Sequence, residues 1–93
     1  MPVVPYPDAL ARVRGVLAAY ETRPEFLPRS LELEDAARAV ARAALHDQVP
    51  LAAAVADMGR LAAAAVAADQ NAAVKAARAM SRWAAQAYHE AMG

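Results

Sequence analysis

The chain has 93 residues, no cysteine, and ten basic side chains balanced by ten acidic ones, for a formal net charge of zero. That length makes one domain, and the missing cysteine removes disulfides, thiolate nucleophiles and thiolate metal sites. Zero net charge argues against a partner held mainly by charge, such as duplex DNA or an anionic membrane surface, because such binding needs many uncompensated Lys or Arg side chains.

Alanine dominates the composition: 29 residues are alanine, and 26 carry a larger apolar or aromatic side chain. Ordering a residue costs about 1.5 kcal/mol, whereas burying an alanine methyl contributes about 0.8 kcal/mol, so alanine surface alone does not hold a fold of this size. The expected fold is therefore all-α: a small, alanine-rich antiparallel bundle of three to four helices that gains stability as an oligomer. Apart from tyrosine, the side-chain hydroxyls are Thr22, Ser30 and Ser81, which leaves serine-type nucleophilic catalysis little material. Nine of the ten basic residues are arginine. Beside so many alanines, that bias points to a GC-rich bacterial genome.

Taken in order, Pro2, Pro5 and Pro7 predict an extended arm over residues 1–7, made apolar by Val3, Val4 and Tyr6. The arm has neither the basic flank nor the apolar run of a secretory signal, so a cytoplasmic location is expected. The spacing of Leu10, Val13, Leu17 and Tyr20 predicts a first helix over about 8–21. Pro24 and Pro28 predict a connector whose Phe26 and Leu27 plug one end of the bundle.

Ser30 is a natural N-cap for a second helix over 30–47, and Glu32, Glu34 and Asp35 put negative charge at the positive end of its dipole. Leu33, Ala37, Val40 and Ala44 form its inward stripe, with Asp35, Arg38, Arg42 and His46 opposite. Val49-Pro50 ends that pattern and starts a third helix over 50–68, with Leu51, Val55, Met58, Ala62 and Ala65 inward. The reverse face holds Ala53, Ala56, Ala63, Ala64 and Ala67, relieved by Asp57 and Arg60 alone. Such a helix is either covered on all sides or uses its back as an interface. Gly59, Ala63 and Ala67 repeat every four residues and form a ridge that lets another helix approach closely. The two charges and the alanine content also argue against a membrane span.

Asp69-Gln70-Asn71 predicts a tight hairpin, with Asp69 or Asn71 capping a fourth helix over 71–91. The alternative is one unbroken helix from Pro50 to about Ala91, because no proline or glycine intervenes after Gly59. In helix four, Ala73, Ala77, Met80, Ala84, Tyr88 and Ala91 are expected inward and Trp83 on the flank, with Lys75, Arg78, Arg82, Gln86 and His89 outward.

Lys75, Arg78 and Arg82 beside Trp83 form the one local charge excess, a candidate anion-binding ridge for phosphate or a stacked base. Three charges release few counterions, so binding of nucleic acid is not favoured. Neither His46 nor His89 has a carboxylate or second histidine three or four residues away, so no metal and no cofactor is expected. The helical stripes contain no charged residue to serve as a perturbed acid or base. A chorismate-mutase-sized helical-bundle enzyme needs an interior set of arginines, lysine and glutamate that this chain lacks, and a small-molecule site between the helices is a further alternative. The expectation is a non-catalytic protein–protein interaction module: an accessory subunit, an inhibitor or antitoxin-like partner, or an assembly factor. It would bind itself or another protein through Gly59, Ala63, Ala67, Met80, Trp83, Tyr88 and Met92.

Overall fold

Pro7 lies in the first turn of a helix, where a missing amide donor is harmless because the donor would have had no intrahelical acceptor. In the computed structural model, which describes residues 3–20 and 30–93, this helix, α1, spans Tyr6–Ala19. The Pro5 carbonyl accepts from the amides of Asp8 and Ala9, both at 3.0 Å. Tyr6 is therefore helical, and the extended arm ends at Pro5. Glu21, and the connector with Phe26 and Leu27, lie outside the described residues.

Helix α2 spans Leu31–His46. The Ser30 hydroxyl accepts from the Leu33 amide at 3.2 Å and donates to the Tyr20 hydroxyl at 3.1 Å. One side chain thus caps α2 and ties its start to the end of α1. At the other end Gln48 adopts a left-handed conformation, with φ of 60°. This lets the Val49 amide donate to the Ala44 carbonyl at 2.7 Å, the closing bond of a Schellman motif.

Helix α3 spans Leu51–Ala65 and α4 spans Gln70–Met92. The third helix stops three residues short of the expected Ala68, and the single-helix alternative is overturned. Val66 leaves the helical conformation, the Asp69 amide donates to the Val66 carbonyl at 3.1 Å, and the Asp69 carboxylate caps the Ala72 amide at 3.1 Å. A free carboxylate acceptor at the turn satisfies an amide that a continuous helix would have used itself.

The four helices pack against one another into an all-α bundle. Helix α4 makes its main contacts with α2 and α3, and α1 packs on the same two, so α1 and α4 occupy opposite corners. The described chain measures 36 × 20 × 19 Å. Among the described residues Leu17, Leu33, Met58, Met80, Val13 and Val40 are the largest fully buried side chains, and alanines of α2 and α4 fill most of the space between them. Small side chains let the helix axes come close, so the thin core is offset by tight packing.

Two stripes differ from expectation. In α3 the buried set is Ala54, Met58 and Ala62, while Leu51, Val55 and Ala65 are half-buried. In α4 the buried face is turned toward Trp83 and includes Ala72, Ala76, Ala79 and Ala87; Tyr88 is half-buried and Ala91 exposed. The indole is the largest apolar group on α4, and burying it outweighs the alternative phase set by alanines. Among the described residues no helix is long and apolar enough to cross a membrane.

Candidate functional site

The outward face of α3 is where the sequence departs furthest from an ordinary surface helix. Ala52, Ala53, Ala56, Ala63 and Ala64 are all exposed, and Ala67 and Ala68 continue the surface into the turn. Arg60, whose side chain is 71% exposed, is the charged group at the middle of this face. Two grooves flank it. Between α1 and α3 lies one of about 270 Å³, lined by Arg14, Ala18, Leu61, Ala64 and Ala65. The other, of about 230 Å³, lies toward α4 and is lined by Ala63, Val66, Ala67, Gln70, Ala73 and Val74.

At the edge of the face, Asp57 accepts from the Tyr6 hydroxyl at 2.7 Å through one oxygen and holds Arg60 with the other. The Tyr6 amide donates to Asp47 Oδ2 at 2.9 Å. The first turn of α1 is thus fixed both to the α2–α3 corner and to the middle of α3. Burial pushes the Tyr6 hydroxyl above the usual phenol range, and the Asp57 hydrogen bond and negative charge act in the same direction. The Asp47 carboxyl is held below its ordinary range by its contact with the His46 ring and then by the Tyr6 amide.

The expected interface residues separate into two groups. Gly59 is half-buried and Ala63 and Ala67 are exposed on or beside the α3 face. Tyr88 is half-buried, its ring edge-on to His89 at 6.2 Å, and Met92 is 63% exposed at the end of α4. Met80 and Trp83, expected at an interface, are instead core residues: Met80 is fully buried and Trp83 only 8% exposed, so neither is presented to a partner.

Lys75, Arg78 and Arg82 are exposed along α4, and among the described residues none of them forms an ion pair. The aromatic surface expected beside them is missing, because the Trp83 ring belongs to the core. The charge network of this bundle lies elsewhere, where Arg38 joins Glu34 at 3.5 Å, Glu90 at 3.7 Å and the Gln86 amide oxygen at 3.3 Å.

Among the described residues Ser30 is the one buried polar side chain, and its hydroxyl is used by the cap and by Tyr20. No buried side-chain nitrogen or oxygen is left without a partner, and no three His, Asp or Glu side chains converge, again among the described residues. The Tyr6–Asp57 bond had no local sequence signal, because the bonded pair is 51 residues apart. No protein-family model, curated protein or solved structure matches the chain.

Proposed function

We propose that the protein is a non-catalytic interaction module of the cytoplasm that acts through the outward face of α3. The observation that supports this reading is the run of exposed alanines at 52, 53, 56, 63 and 64, continued by 67 and 68. A helix that meets only water normally carries charged and polar side chains on that side. Here methyl groups hold it instead, flanked by two shallow grooves into which a second helix can settle. The fourth helix carries the contrasting pattern, with Lys75, Arg78, Arg82 and Gln86 on its exposed face.

Site-specific photo-crosslinking in the native host tests the reading. A crosslinker at Ala63 on α3 should give a discrete protein adduct, and one at Arg42 on the solvated face of α2 should not. Equal labelling from both positions, or none from Ala63, overturns it.

A further inference from the structure

We infer that the α1-side edge of the α3 face binds the same edge of a second copy of this chain, antiparallel, about a two-fold axis that passes between Asp57 and Arg60. The inference rests on the interaction-module reading and adds the identity and register of the partner.

At 3.6 residues per turn, Ala53, Asp57, Arg60 and Ala64 lie along one strip of α3, within about 60° of each other around the helix. Asp57 is partly exposed, and the other three are exposed. Their order is symmetric: an alanine four residues before the acid, an alanine four residues after the base, and acid and base three apart. Two such strips laid antiparallel put each Asp57 beside Arg60 of the second copy and each Ala53 beside Ala64 of the second copy. An isologous contact requires this kind of self-complementarity, in which a residue meets its counterpart's partner and the reverse.

Charge fixes the register. Centring the pair on Arg60 would oppose two guanidinium groups, and centring it on Asp57 would oppose two carboxylates, so the attractive arrangement is the one centred between them. Arg60 already reaches the Asp57 carboxylate within one chain. On association the two pairs merge into a ring of alternating charge without any charge being left unpaired. A foreign helix would need its own acid and base in matching order, which a second copy carries already.

The groove agrees with this choice. Ala64 belongs both to the symmetric strip and to the lining of the groove between α1 and α3. A helix seated on the strip therefore lies against the mouth of that groove, and the small side chains at 53 and 64 leave it room at either end of the contact.

The experiment is a set of charge reversals on the full chain, read by sedimentation equilibrium over a wide concentration range, with circular dichroism on every sample. The natural chain should dimerise. D57R and R60D should each weaken self-association by at least about tenfold, because each places like charges across the axis. An equimolar mixture of D57R and R60D should form a heterodimer, since one strip is then wholly basic and the other wholly acidic, and the double reversal in one chain should restore the homodimer. Y6F, which removes the Tyr6–Asp57 bond but leaves the charges, should remain dimeric. If D57R does not fold, R60D and its charge-keeping control R60K decide the matter, because Arg60 is an exposed side chain: R60D should weaken the dimer at least about tenfold and R60K should leave it intact, and equal behaviour of the two overturns the inference. A dimer indifferent to the reversals, or loss without rescue, overturns the inference. A natural chain that is monomeric throughout also overturns it, and an Ala63 crosslink to a different protein would then leave the interaction-module reading standing.

Discussion

The Tyr6 hydroxyl donates a 2.7 Å hydrogen bond to Asp57 Oδ2, joining the first turn of α1 to the middle of α3. Hydrogen bonds to charged groups are worth more than neutral ones, but this site is only half-buried, so Tyr6→Phe is expected to destabilise the fold by about 1 kcal/mol. Denaturant titration at neutral pH measures it. The same bond sets an alkaline limit. The folded phenol ionises at higher pH than the unfolded one, so its contribution is complete below the ordinary value of 10.0 and is lost as pH rises through the folded value. Above pH 10 the natural chain should lose stability faster than Tyr6→Phe, with Tyr20 and Tyr88 common to both.

Asp47 sets the acid side. Its folded carboxyl is more acidic than its ordinary value of 3.8, so its contribution is present above that value and is lost as pH falls through the folded one. Unfolding curves taken between neutral pH and strong acid should show a steeper fall for the natural chain than for Asp47→Asn. Parallel curves would mean that the contacts with His46 and the Tyr6 amide do not persist in solution.

Two glycine exchanges should both stabilise the protein, in opposite chemical directions. A methyl added at Gly59 meets nothing within 4 Å, so Gly59→Ala gains helix propensity without a clash, about 0.5–1 kcal/mol. Gln48 holds a left-handed φ of 60°. Glycine adopts that conformation without the steric penalty of a side chain, so Gln48→Gly is expected to gain about 1 kcal/mol. For a domain of this length each should raise the thermal midpoint by about 4–8 °C per kcal/mol.

Methionine truncation distinguishes core from surface. Met80→Ala should cost about 2–5 kcal/mol, because the site is fully buried and the surrounding alanines cannot reach in to fill the void. Met92→Ala, at an exposed site, should change stability by no more than about 0.5 kcal/mol. Comparable losses at both positions would contradict the burial of Met80.

The fold class and the two capped helix starts were legible because they depend on local chemistry. Ser30 and Asp69 each have a short polar side chain that reaches an amide three residues on, and that signal is complete within four residues. Rotational phase was harder to read. Alanine is accepted on either side of a helix, so in α3 and α4 the wheel had to be set by a few large groups, and Trp83 turned α4 toward itself. The α1 start lies two residues before the expected Asp8, because Tyr6, although set between two prolines, is held by a hydroxyl partner 51 residues away. The α3 surface was legible as a choice between covered and exposed, and the packing of α1 and α4 at opposite corners left it exposed.

Among the described residues, 14 of the 22 buried hydrophobic residues are alanine. A methyl group has no rotamers, so most of this interior has no internal degree of freedom through which to absorb a perturbation. A strain introduced at one helix is passed to its neighbours as whole-body sliding or tilting, with Met58 and Met80 as the main adaptable side chains in its path. The same interior has almost no room to lose volume by substitution, since glycine alone is smaller. Sequence drift at these positions enlarges the core, and the bundle then answers by spreading its helices.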